Sequence, residues 1–313
     1  MTPDQHRQLA RRARAQLGLL TRPQALAAGV GPDVLYREVR QGRLRRVEPG
    51  VYQFTTSPVT WHSRSLALCL TSGGVTSHRA GAVLWDLDGF RPGTREITVE
   101  RRVRVRRSDA IVHQTSRPDL IHPRRRAGVP VVGPQRLAVD LASVVGPDQL
   151  AAVVDQLVRR RLASVGDLVA ALVAHAVSGR PGVTALRAVL VDLAGQERVP
   201  DSDWNRTVAR RLVAAGLPAP TLEHEVRDAG GRFVARLDLA WPEAMTAVEL
   251  DGEGTHLDRV AFQADRTKRN RLQLLGWRVL AFTWRDHLER FDQLLSQVEQ
   301  ALALAARPDS GDS

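Results

Sequence analysis

The sequence predicts a multidomain α/β protein, on three observations. Its opening reads as three short helices and a pair of strands, its last third alternates helices with strands, and the stretch between carries both periods. At 313 residues the chain has room for two or three domains, and 43% hydrophobic content suffices for ordinary cores. The divisions expected are 1–56, 57–195 and 196–306, with a disordered tail at 307–313.

Residues 5–16 have helical periodicity. Thr21-Arg22-Pro23-Gln24 has the form of a capping box with proline in the first turn, so a second short helix should run to about Ala28. Gly29 makes a turn, Gly31-Pro32-Asp33 opens a third helix through Gln41, and Gly42 stops it. The segment RLRRVEPGVYQF reads as two strands about Glu48-Pro49-Gly50. Three helices and a basic hairpin make a winged helix-turn-helix arrangement, in which the last helix enters the major groove of DNA and the hairpin touches the backbone. Arg37 and Arg40, three apart on the third helix, share a face, and Arg43, Arg45 and Arg46 begin the wing.

In the middle region SHRAGAVLWDL reads as a helix capped by Ser77, and REITVERRVRVRRSDAIVHQ alternates as two or three strands. That stretch concentrates Arg101, Arg102, Arg104, Arg106 and Arg107, a density suited to nucleic acid or an acidic partner. Residues 134–172 are helical in pattern and show no catalytic grouping. His62, His78, His113 and His122 lie without ligand spacing and are expected as caps or surface residues.

The last region should hold a helix over 203–215, strands over 222–227, 232–241 and 246–251, and a helix over 258–275. The strand WRVLAFTW follows, then a helix opened by Asp286 with Glu289 at its capping-box position. This αβββαβα order gives a mixed sheet flanked by helices, the general plan of restriction-endonuclease cores.

Asp238 falls on one of those strands and Glu249 with Asp251 on the next. Residues two apart on a strand share a face, so a hairpin brings three carboxylates together. Unit charges about 4 Å apart repel by roughly 4 kcal/mol at an effective dielectric near 20, and a divalent cation offsets that. Oxygen ligation suits Mg²⁺ or Mn²⁺, which polarise a phosphoryl oxygen and activate water, so the chemistry suggested is phosphodiester hydrolysis. The plainer alternative is a set of solvated strand ends beside a turn.

Composition narrows the classes. Cys69 is the only cysteine, which excludes an internal disulfide and a multi-cysteine zinc site, and its apolar surroundings predict burial. No apolar run approaches the roughly 20 residues that span a bilayer, and the start lacks the apolar core of a signal peptide, so a soluble cytoplasmic protein is expected. The formal charge of +11 is split unevenly, with 29 basic and 15 acidic side chains over residues 1–195 against 16 and 19 over 196–313. Anion binding should therefore belong mainly to the first part.

The segments DLAWP and VELDG, then His256, Asp258, Asp265-Arg266, Asn270 and GWRVLAFTW, resemble an endonuclease-like domain of unknown function related to the very-short-patch-repair nucleases of the PD-(D/E)XK class. The segment LLTRPQALAAGVGPDVLYREVRQGRLRRVEPGVY resembles the winged-helix domain of AbiEi-type antitoxins of type IV toxin-antitoxin systems, and VPVVGPQRLAVDLASVV resembles a later part of that family, together about residues 5–175. The nuclease resemblance implies Asp238 as central metal ligand, Glu249 as second acid, Asp251 as ligand or water orienter, and His256 as general acid or base. Two positions depart from it: Asp251 stands where a lysine is usual, and Asn205 where relatives often have glutamate. Arg266 or Lys268 on the long helix is the candidate replacement cation.

Three functions follow as expectations. The first is a DNA-binding protein whose C-terminal domain is a Mg²⁺- or Mn²⁺-dependent endonuclease. The second is an AbiEi-like transcriptional autoregulator with a cognate toxin as partner and a nuclease-like domain that no longer cuts. The third gives that domain a role in protein association only.

Overall fold

Short sequence signals set the first helices. Thr2 and Gln5 exchange side-chain and main-chain hydrogen bonds to open α1 (Pro3–Arg14). Thr21 and Gln24 do the same for α2 (Arg22–Ala27), as the capping box predicts. Pro32 occupies the first turn of α3 (Pro32–Arg40). Ahead of α2 lies a strand absent from the sequence reading, β1 (Leu19–Thr21), too short to show alternation. With β2 (Leu44–Glu48) and β3 (Val51–Phe54) it makes an antiparallel sheet in the order β1-β3-β2. Leu9, Leu20, Val30, Leu35, Leu44 and Phe54 form the core between helices and sheet.

These elements belong to a computed structural model that describes residues 1–103, 108–176, 180–195, 201–251 and 259–305. The chain divides into two units, Met1–Arg160 and Arg161–Ser313. Among the described residues no helix is long and apolar enough to cross a membrane.

The first unit continues through α4 (Trp61–Ser72), β4 (Val75–Thr76), α5 (His78–Leu84), β5 (Arg95–Glu100) and β6 (Ala110–Thr115). It ends with β7 (Arg124–Arg126), β8 (Val129–Val131), α6 (Pro134–Leu141) and α7 (Pro147–Arg159). The five strands pair in the order β6-β5-β4-β8-β7, parallel at β5–β6 and β4–β8 and antiparallel elsewhere. Ile97 and Val99 alternate with Glu96 and Thr98, so one face of β5 joins Leu68 and Cys69 in an apolar cluster. Cys69 is buried as expected, and desolvation pushes its thiol up to about 11, which leaves it protonated and unreactive at neutral pH. Ser77 takes the N-cap position of α5, yet its side chain makes no capping hydrogen bond.

The second unit holds α8 (Val165–His175), α9 (Val183–Gly195), α10 (Asp201–Ala214), β9 (Thr221–Arg227), β10 (Phe233–Trp241), β11 (Thr246–Asp251) and α11 (Arg259–Leu274). It closes with β12 (Arg278–Thr283), α12 (Trp284–Glu289) and α13 (Phe291–Ala305). β9, β10 and β11 run antiparallel, and β12 joins β11 in parallel, which requires the crossover that α11 supplies. α8 packs against α10, so this unit starts ahead of residue 196. The last capping box is one turn earlier than the sequence reading placed it: Thr283 is the N-cap and Asp286 the reciprocal partner. Threonine followed three residues later by aspartate serves as well as Asp286 with Glu289, because Asp286 also accepts from the Thr283 amide.

Candidate functional site

The hairpin of β10 and β11 places Asp238 and Glu249 on neighbouring strands. The ladder runs from Trp241–Thr246 to Leu239–Val248, which sets Asp238 and Glu249 one residue further on each strand. Glu249 is 5% exposed and Asp238 is half-buried. Two hydrogen bonds fix the Asp238 carboxylate: Oδ2 accepts from the main-chain N–H of Leu250 at 2.9 Å, and Oδ1 accepts from Asn205 Nδ2 at 3.1 Å. Asn205, 2% exposed on α10, thus holds this carboxylate at the position where the resemblance leads one to expect glutamate. Its own Oδ1 has no hydrogen-bond partner among the described residues.

A cation reaches Glu249 from the crossover helix. Lys268 Nζ lies 2.5 Å from Glu249 Oε1, with 30% of the lysine side chain exposed. Arg266, two positions earlier, is exposed and points about 200° away around a helix of 3.6 residues per turn. Among the described contacts, Lys268 is the candidate cation paired with Glu249. Asp251 pairs through its main chain with Thr283 on β12; its side chain, and all of His256, lie outside the described residues.

The basic residues of the first unit separate into two kinds. Arg37, Arg40 and Arg46 are exposed, and the guanidinium of Arg40 lies 5.9 Å from the ring of Tyr36, itself 66% exposed. Arg43 is committed to the buried Glu38 at 2.5 and 2.8 Å, and Arg45 donates to the carbonyls of Thr55 and Ser57, both at 2.9 Å. Those two hold the hairpin to its surroundings. Arg101 is exposed, Arg102 pairs with Glu100 at 2.8 Å, and Arg104, Arg106 and Arg107 lie outside the described residues.

One constellation escaped the sequence reading. His78 and His113, expected as caps or surface residues, stack with ring centroids 3.4 Å apart, and His113 Nε2 is 2.9 Å from Glu96 Oε2. Spacing along the chain could not show it, because parallel β5 and β6 join residues far apart in sequence. The available signal was polar alternation on β5, where Glu96 and Thr98 share a face that α5 buries.

With this geometry in place, the family match bears on the first unit. Residues 7–55 match the family described as "Transcriptional regulator, AbiEi antitoxin". The match suggests a DNA-binding transcriptional regulator. Two proteins of Mycobacterium tuberculosis, uncharacterized protein Rv2248 of strain H37Rv and uncharacterized protein MT2308 of strain CDC 1551, are each 24% identical over 266 residues, which is 85% of this chain and 94% of theirs. A crystal structure of the RV2827C protein from Mycobacterium tuberculosis is similar over 73% of this chain and 90% of its own, at 19% identity and a TM-score of 0.41.

Proposed function

We propose that this chain is a DNA-binding transcriptional regulator of the AbiEi antitoxin kind, with a winged helix reading DNA through α3 and a cognate toxin as its protein partner. The observation that carries the reading is the exposed face of Tyr36, Arg37 and Arg40 on the segment that matches the family. The charge distribution supports it, since 29 of the 45 basic side chains fall in residues 1–195. Titration of promoter DNA from the protein's own locus, across salt concentrations, tests it. An affinity falling three to five decades between about 50 and 200 mM salt is expected if 6 to 10 phosphates are neutralised, and a flat response would overturn the reading.

A second reading is favoured by Asp238, Glu249 and Lys268 meeting on an αβββαβ frame, the order of PD-(D/E)XK nucleases. The donor set fits Mg²⁺ or Mn²⁺: hard carboxylate oxygens, each with lone pairs beyond those engaged here, and a buried amide oxygen on Asn205. Asp238 and Glu249 would hold the ion together with Asp251, and Lys268 would face the substrate phosphate. A bound ion supplies Lewis-acid polarisation of the phosphoryl oxygen and a more acidic water. The protein's own part is to fix Asp238 through Asn205 and the Leu250 amide, and to set one ammonium against the acid cluster. His256 is proposed as general acid or base. Supercoiled plasmid incubated with Mg²⁺ or Mn²⁺ should be cut by the wild type and left intact by Glu249→Ala. If the wild type leaves plasmid and single-stranded DNA uncut while still binding DNA, the chain is the regulator without nuclease activity.

A further inference from the structure

We propose that His78, Glu96 and His113 form a binding site for one divalent transition-metal ion of the zinc class, in the first unit and separate from the carboxylates of β10 and β11. The sheet assembles it from three segments. The amide of Ser77 donates to the carbonyl of Glu96 at 3.0 Å, one step beyond the β4–β5 pairing, and this sets His78 at the strand end. On parallel β5 and β6, Thr98 pairs with His113, so Glu96, Thr98 and His113 stand on the same face. Ile97 and Val99 take the apolar core on the other face.

One nitrogen or oxygen from each of His78, Glu96 and His113 lies within 4.8 Å of the other two. Two imidazoles with one carboxylate are the donor set of open zinc sites, in which water takes the fourth position. The surroundings orient the donors. His78 Nδ1 is 2.9 Å from Ser77 Oγ, which accepts from the Thr98 hydroxyl at 2.8 Å, so Nε2 is the nitrogen His78 would offer. Glu96, 2% exposed, divides its oxygens: Oε1 lies 3.6 Å from the Arg79 guanidinium and Oε2 meets His113. The ion would take the place of the contact between Oε2 and His113 Nε2.

Backbone conformation sets how the two rings meet before an ion binds. His78 is held at φ 50°, in the left-handed region that side chains other than glycine seldom occupy, and this lays its ring against His113 at an interplanar angle of 11°. Coordination requires the two rings to splay from parallel. His113, with 24% of its side chain exposed, marks the side from which ion and water arrive.

The test uses the full-length protein, freed of any affinity tag and treated with chelator, then titrated with Co²⁺ and Zn²⁺. One equivalent of Co²⁺ should produce the visible absorption of a low-coordinate nitrogen-and-oxygen site, and Zn²⁺ should displace it. His113→Ala and the near-isosteric Glu96→Gln should each weaken Zn²⁺ binding at least about 100-fold, since losing even a ligand's orienting partner costs ten- to a hundredfold. Thermal unfolding in chelator identifies which variants fold, and Zn²⁺ should raise the melting temperature of the wild type but not of His113→Ala or Glu96→Gln. Glu249→Ala should keep the Co²⁺ spectrum intact. The proposal is overturned by a wild type without saturable Co²⁺ absorption, by equal Zn²⁺ affinity in the wild type and a folded variant, or by loss of the spectrum in Glu249→Ala. Each would leave the three residues as a hydrogen-bonded cluster only.

Discussion

Arg136→Ala should destabilise the first unit by about 3–5 kcal/mol, the usual cost of breaking a buried ion pair by removing one partner. Arg136 and Asp140 lie one turn apart on α6, Nε to Oδ1 at 2.7 Å, with side chains 6% and 1% exposed. Surface helix pairs at this spacing contribute only about 0.3–0.5 kcal/mol, so burial rather than spacing sets the size of the effect. Asp140→Ala should cost a similar amount for the mirror reason. The double variant Arg136→Met with Asp140→Leu should recover most of the loss, since it removes both charges and keeps the volume. Urea unfolding of the four proteins decides it. If single and double variants lose stability equally, packing and not charge explains the site. Whole domains are stable by only about 5–15 kcal/mol, so either single variant should also accumulate poorly in cells.

Replacing Arg37 and Arg40 together with alanine should weaken binding to promoter DNA about a thousandfold at a fixed salt concentration. Each arginine placed against a base edge contributes on the order of 2 kcal/mol, and roughly 4 kcal/mol corresponds to three decades of affinity. Both are exposed on α3, so their removal should leave stability within about 0.5 kcal/mol of the wild type. Arg45→Ala makes the informative contrast. Its guanidinium bridges the carbonyls of Thr55 and Ser57, so that variant should lose stability along with affinity. Fluorescence anisotropy with labelled DNA, paired with thermal unfolding, separates the two classes. Unchanged binding by the Arg37, Arg40 variant would move the contact away from α3.

Local signals in the sequence reached the structure almost unaltered, because their partners sit three or four residues away. Thr21 with Gln24 is a complete example: threonine, then glutamine at the third helical position, specifies a reciprocal pair of hydrogen bonds. The approach of Asp238 to Glu249 was legible for a related reason, since a hairpin joins strands that are adjacent in sequence. β1 was not legible, as three residues carry no period. Nor was the pairing of His78 with His113, which depends on a parallel strand pair whose register is set by packing far from either residue. Lys268 stood between these cases. Its presence on the long helix was plain, whereas its aim at Glu249 depended on how α11 turns as it crosses from β11 to β12.

The packing of α8 against α10 bears on how this protein can be taken apart and recombined. Trp204, Val208 and Leu212 of α10 are at most 3% exposed, and the second unit reaches back to residue 161. Severed at residue 196, the αβββαβ frame would shed two helices of its own unit and present bare apolar surface, a liability for aggregation. The portable module is therefore the piece from residue 161 onward. A graft or gene fusion that moves Asp238, Glu249 and Lys268 to another DNA-binding protein must carry α8 and α9 as passengers, although neither contributes a side chain to the carboxylate contacts described.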